Sequence, residues 1–318
     1  MPKTLVVVGG GAAGFFAALA AKAACPTLAV TVLEAARKPL AKVKVSGGGR
    51  CNVTHACFEP GELLKRYPRH HKKLRGAFQA FGPRETVAWF AERGVALKTE
   101  ADGRMFPVTD DSQTVLDCLL GEARRLGVRL ETGVSVAGAE ALADGGFHLD
   151  LRDGSTLRAD YLVLATGGHP AGHRLAEGLG HSVVPPVPSL FTFTVPDEGL
   201  TALSGVACPH ARAWLRGPDG QETPPQEGPL LITHWGVSGP AVLRLSAWEA
   251  RTLHGWGYRA TLLVDWLPAL HAEALRLALL ATKREHPKRR LGTEPPQAME
   301  KPLTRRLWAY LLAAGGLD

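Results

Sequence analysis

Residues 5–34 constrain the fold of this chain more tightly than any other stretch. Leu5 to Val8 is a short apolar run rich in β-branched side chains, which suits a strand buried on both faces. It leads directly into Gly9-Gly10-Gly11-Ala12-Ala13-Gly14, which has the spacing G-x-G-x-x-G. An alanine-rich helical stretch follows from Phe15 to Ala24 and stops at Pro26, and a second apolar strand, Leu28 to Leu33, closes on Glu34. Each part has a physical task. Gly9 permits the tight strand-to-helix turn, Gly11 lets backbone approach a diphosphate, and Gly14 lets the helix lie close to the sheet. The helix N-terminus offers unpaired N–H groups and a positive dipole end to phosphate. Glu34 is placed to accept a hydrogen bond from an adenosine ribose, and its charge argues against a 2′-phosphate there. The strand, turn, helix, strand and acid occur in the order of a dinucleotide-binding unit. They leave open which dinucleotide.

Two later segments share this character. Ser46-Gly47-Gly48-Gly49-Arg50-Cys51-Asn52 is a loop whose backbone can run against a flat ligand or a phosphate, with Arg50 as a source of positive charge. Tyr161 to Ala165 reads as an apolar strand, and Thr166-Gly167-Gly168 is a turn where a bulky side chain would collide with a nucleotide.

Gly9 to Gly14, Ser46 to Asn52, Gly103-Arg104-Met105-Phe106-Pro107, Leu164 to Gly168 and Thr233-His234-Trp235-Gly236-Val237-Ser238-Gly239-Pro240 together resemble the bacterial NAD(P)/FAD-dependent oxidoreductases of the aminoacetone-oxidase-like and bile-acid-reductase-like kind. The resemblance implies an α/β fold: a glutathione-reductase-like, Rossmann-type FAD-binding domain over 1–188. An inserted mainly-β and helical substrate or cap domain is expected over 189–318. It implies that Gly9, Gly11, Ala12, Ala13 and Gly14 hold the FAD diphosphate, with Glu34 on the ribose. Ser46, Gly47, Gly48, Gly49, Arg50, Cys51 and Asn52 would then lie along the middle of the cofactor, and Ala165, Thr166, Gly167 and Gly168 would form the second FAD motif. The implied activity is hydride transfer between flavin and a small organic substrate. There is no second G-x-G-x-x-G, so NAD(P)H is expected only as a transient reductant. Members of the family continue with a glycine-rich return to the first domain, and this chain ends at Asp318 without one. The competing expectation is therefore a truncated, catalytically impaired flavin-binding protein or interaction module.

Elsewhere, helices are expected over 83–94 and 112–126, the latter stopped by Gly127, with Asp110 or Asp111 as an N-cap rather than a metal ligand. Phe147 to Leu151, a turn at Asp153-Gly154 and Leu157 to Ala165 suggest an antiparallel meander. Leu190–Val195, Ala211–Leu215 and Leu230–Thr233 read as strands, and 269–282 and 303–314 as helices. His234 is the candidate proton donor, because imidazole exchanges protons near neutral pH. Cys51 reads as packed rather than reactive. Five cysteines without a CxxC pair argue against disulfides and zinc, so no metal is expected. No run approaches the ~18 apolar residues of a membrane helix, and the start lacks a signal-peptide pattern, so a cytoplasmic protein is expected. The net charge is +7, and much of the positive charge lies in 65–75 and 283–306. It reads as solvated helix faces, and a nucleic-acid partner is not expected.

Overall fold

A computed structural model describes residues 2–288, 292, 295, 296, 299 and 303–317. The chain divides into two compact units, Met1–Pro186 and Val187–Asp318.

The first unit is built on a four-stranded parallel sheet. Strands β1 (Thr4–Val8) and β2 (Ala29–Glu34) lie at its centre, flanked by Tyr161–Leu164 beside β1 and Arg129–Thr132 beside β2. Helix α1 (Ala12–Ala24) links β1 to β2. The strand period of two sorts the side chains of β1 into two cores. Leu5 and Val7 pack with Phe15, Ala18 and Leu19 of α1 and with Val115, Leu119 and Ala123 of the helix Ser112–Leu126. Val6 and Val8 pack with Val136, Leu149 and Ala159 of an antiparallel meander, Val136–Ala141, Phe147–Leu151 and Thr156–Ala159. Both faces are thus covered, which is why β1 is apolar throughout. Asp160 fastens the sheet edge, its carboxylate accepting from the Thr4 backbone N–H (2.6 Å) and hydroxyl (2.9 Å).

The helix Ser112–Leu126 starts where Asp111 accepts from the Gln113 N–H (2.8 Å) and ends at Gly127, φ 73°. Its buried Glu122 is gripped by Arg125 (2.6 and 2.9 Å) and Arg93 (3.0 Å). The Arg125 hydrogen bond, with help from Arg93, holds that carboxyl at about 2 despite the opposing effect of burial. The expected helix over 83–94 spans Pro83–Ala91, with Gly94 at φ 77° beyond it.

The second unit centres on a five-stranded antiparallel sheet in the order Phe193–Thr194, Gly236–Ser238, Gln226–Thr233, Ala207–Arg216, Thr261–Asp265. Leu215, Leu230 and Ile232 pack with Val242 and Leu245 of the helix Pro240–Trp248 and with Leu307 and Trp308 of Arg305–Ala314. A further helix spans Ala272–Glu285. The sequence expectation is corrected here in two places. Leu190–Val195 supplies only a two-residue strand, because Leu190 adopts φ 61° and is exposed, breaking the extended run. Gly236–Ser238 and Thr261–Asp265 are strands that the sequence reading did not anticipate. Among the described residues no helix is long and apolar enough to cross a membrane.

Candidate functional site

The glycine turns meet at the carboxyl ends of the parallel strands, the place where open α/β sheets bind ligands. The Gly9 N–H donates to Leu33 O and the Ala165 N–H to Val8 O, each at 2.8 Å, so three neighbouring strands end in one tied cluster. A Cβ on Gly9 would stand 2.5 Å from Ala165 O, and one on Gly14 would stand 1.8 Å from Gly9 O. Both glycines are demanded by the protein's own backbone. Gly11 differs, because a Cβ there would meet no described residue beyond its own stretch of chain within 4 Å. It is the N-cap of α1, and no side chain caps that helix. The first N–H groups of α1, at Ala12 and Ala13, have no intrahelical acceptor and point out of the helix end. That combination, open space against the positive end of a 13-residue helix, fits an anion.

Glu34 closes one side. Its two carboxylate oxygens accept from the Gly10 and Ala36 N–H groups, each at 2.7 Å. Each oxygen keeps a second lone pair, so the carboxylate can still accept from a ribose hydroxyl. The chain then crosses back, with Leu40 N–H donating to Gly10 O (2.8 Å) before the short helix Ala41–Val45. This helix brings in a residue that sequence reasoning missed. Lys42 Nζ lies 3.9 Å from the position a Cβ on Gly167 would take, and Lys42 makes no ion pair with a described residue. Its only sequence signal was its place between two glycine motifs.

Ser46–Gly49 follows as one tight turn, with the Cys51 N–H donating to Ser46 O (3.0 Å) and Ser46 Oγ donating to Val43 O (2.9 Å). Gly47 is wedged against the Asn52 N–H and the Phe106 ring, each 2.8 Å from its would-be Cβ. Gly48 and Gly49 are open, at φ 71° and 87°. Arg50 is not a free cation. Its Nη1 donates to Glu100 (2.5 Å) and Asp110 (3.5 Å), and its guanidinium lies 4.0 Å from the Phe106 ring centre. Glu100 holds the guanidinium charged. Cys51 is buried, and burial pushes its thiol up, away from a reactive thiolate. Asn52 is exposed.

In the second motif, Thr166 supports the next helix: a Cβ on Gly172 would fall 1.8 Å from Thr166 Oγ1. His169 caps that helix, Pro170–Gly178, through Nδ1 accepting from the Ala171 N–H (3.2 Å). Gly167 takes φ 62°, and Gly168 is open. The structure therefore brings together Gly9–Gly14, Glu34, Lys42 and Ala165–Gly168, with Ser46–Asn52 one short helix away. His234 belongs to the second unit, on the exposed turn between Gln226–Thr233 and Gly236–Ser238, with its ring edge-on to Trp235 at 4.1 Å. Among the described residues no cluster suited to a metal ion occurs.

The family model for the HI0933-like protein Rossmann domain matches residues 3–318. The chain belongs to the HI0933-like Rossmann family. That family is a group of FAD-dependent oxidoreductases. Among curated relatives, a 3-dehydro-bile acid delta(4,6)-reductase of Clostridium scindens is 31% identical over 280 residues, 86% of this chain and 66% of the relative. A ribosomal RNA dihydrouridine synthase of Escherichia coli is 32% identical over 317 residues, 95% of this chain and 72% of the relative. The chain thus spans about two thirds to three quarters of the relatives' length. Among solved structures, THI4 of Thermovibrio ammonificans aligns with a TM-score of 0.39 at 14% identity, over 57% of this chain and 64% of that one. The 3-ketosteroid-delta4-(5alpha)-dehydrogenase of Rhodococcus jostii aligns with a TM-score of 0.38 at 18% identity, over 51% and 45%.

Proposed function

We propose that this HI0933-like protein is an FAD-dependent reductase that saturates a carbon–carbon double bond conjugated to a carbonyl group. The observation that carries the reading is the open, uncapped start of α1 at Gly11, with Glu34 on the N–H of the neighbouring Gly10 and Lys42 beside Gly167 of the second motif. The helix end carries about half a positive charge, which suits a diphosphate, and the ammonium of Lys42 adds to it. Glu34 would take the ribose. Gly48, Gly49, Gly167 and Gly168 would give the middle of the cofactor room to lie against backbone. Arg50 would act by tying its loop to Glu100 and Asp110 rather than by direct charge.

The relatives' names support the bond type, since a 3-dehydro-bile acid delta(4,6)-reductase and a dihydrouridine synthase both saturate double bonds conjugated to a carbonyl. FAD supplies the hydride when bound, with NAD(P)H as its transient reductant. Hydride adds to the carbon distant from the carbonyl, so the chain must deliver a proton to the carbon beside it. We assign that proton to His234, whose imidazole is exposed on a turn held by the sheet of its unit.

The test is an anaerobic titration of the purified protein incubated with FAD. A visible flavin band that bleaches with NADPH or NADH and returns on adding a conjugated enone or a uridine-containing RNA is expected. Protein that stays colourless with excess FAD sinks the reading. His234→Ala should slow reoxidation by substrate about 10²- to 10⁴-fold while leaving bleaching by NAD(P)H unchanged.

A further inference from the structure

We propose that residues 63–84 of the first unit form a docking surface for RNA. The segment holds seven of the chain's 37 Lys and Arg and none of its 30 Asp and Glu. The rest of the chain therefore carries thirty of each sign, and these 22 residues account for the whole formal charge of +7. From sequence alone Lys65–Arg75 reads as a solvated face. Three structural observations change that balance.

First, Lys65, Arg66, Lys72, Lys73 and Arg75 are all exposed along a stretch of short helical turns, Pro60–Leu64, His71–Leu74 and Arg75–Ala80, and Arg84 is exposed at the start of the helix Pro83–Ala91 that follows. Second, the cations are hardly neutralised. Lys65 pairs with Glu62 (2.7 Å), both side chains being mostly exposed, whereas Arg66, Lys72, Lys73 and Arg75 form no ion pair with a described residue. Third, Tyr67 and Phe81 are 38% and 39% exposed amid these charges, and each is braced from behind, by Phe78 (5.5 Å) and Phe16 (5.1 Å) respectively. Cations interleaved with supported aromatic faces are what an RNA with unpaired bases requires: phosphates meet the charges and bases stack on the rings. The short turns offer no long amphipathic helix for a membrane surface. The second basic stretch, 283–306, is interrupted by Glu285, Glu294 and Glu300.

The proposal deepens the reductase reading by favouring a base within RNA over a free small molecule as the substrate, and it rests on that reading only for the chemistry. RNA binding is measured separately. The probe is a short RNA hairpin with an unpaired uridine loop, followed by fluorescence anisotropy across a salt series. Three variants of the surface, Lys72→Gln, Lys73→Gln and Arg75→Gln combined, are compared with Arg124→Gln, Arg152→Gln and Arg174→Gln combined, which alter exposed cations elsewhere in the same unit. Losing three phosphate contacts should flatten the slope of log K against log salt by about 2 and weaken binding about ten- to hundredfold at physiological salt. The second triple variant should bind as the parent does. Equal losses in both triples, no salt dependence, or binding to phosphatidylserine vesicles but not to the hairpin would each overturn the proposal. Both triples should retain the flavin spectrum and FAD affinity of the parent. If the parent binds no FAD, the reductase reading fails and the RNA result still stands by itself.

Discussion

Gly14 and Gly11 stand three residues apart in one turn, yet they are glycine for opposite reasons. Gly14 is filled in by the protein, since its would-be Cβ falls on the carbonyl of Gly9. Gly11 faces space that no described residue beyond its own stretch of chain enters within 4 Å. The same division recurs in the second turn, where Gly47 is wedged by Phe106 and Asn52 while Gly48 and Gly49 are open. A glycine pressed by backbone records how the fold closes. A glycine that is open, and set against a bare helix end, records a requirement from outside the chain. The two kinds should respond differently to the same substitution.

The largest effect is expected at the pressed position. Gly14→Val places carbon inside van der Waals contact with backbone that cannot move away, and should cost more than about 4 kcal/mol or abolish folding, as denaturant unfolding would report. Next comes a control outside both turns. Glu122→Ala removes the nearer carboxylate of half-buried Arg93, leaving it the Trp89 carbonyl (2.9 Å) and Glu92 (3.5 Å), and should cost about 2 kcal/mol in the same assay. Because the native Glu122 carboxyl sits at about 2, below its ordinary 4.5, its contribution is present above about 4.5 and is lost as the pH falls toward 2. The parent should lose more stability through that window than Glu122→Gln, which keeps only the losses due to other carboxyls held low by their partners, such as Asp160 and Asp197. At the open position, Gly11→Val should leave unfolding within about 0.5 kcal/mol of the parent but weaken FAD about hundredfold, read by fluorescence titration. Should it unfold the protein instead, the distinction between the two kinds of glycine breaks. The smallest expected change is for Lys42→Met, about tenfold in FAD affinity, with the loss shrinking at high salt because a single screened charge is removed.

Much of the first unit was legible because its signals are local. Four apolar, mostly β-branched residues, a glycine spacing and an acid specify β1, the turn, α1 and β2 within thirty residues, and Asp111 and Gly127 mark the ends of the helix between them. What could not be read was what distant residues do to those signals. Arg50 looks free in sequence, because Glu100 and Asp110 arrive 50 and 60 positions later. Lys42 looks like one of many surface lysines until Gly167 is folded beside it. In the second unit, Thr233 to Pro240 reads as a glycine-rich loop, yet it is a hairpin return into the helix Pro240–Trp248. Its Gly236 is packed so that a Cβ would lie 2.2 Å from Phe193 O. Glycine at a close crossing and glycine in a loop are the same letter. A proline at a helix start was the signal available for Pro240.

The pairing of β1 with Tyr161–Leu164 has a consequence for how the protein is made. The back wall of the Gly9 turn is Ala165, and the Asp160 clamp on Thr4 joins residues 156 apart. At about 5–20 residues per second, a ribosome delivers that wall roughly 8–30 s after the turn itself has been synthesised. Until then β1 can pair only with β2, and one of its edges stays open to any other extended segment nearby. Nascent chains arrested before residue 160 should be digested readily at the amino terminus, whereas those with 170 residues clear of the exit tunnel should resist.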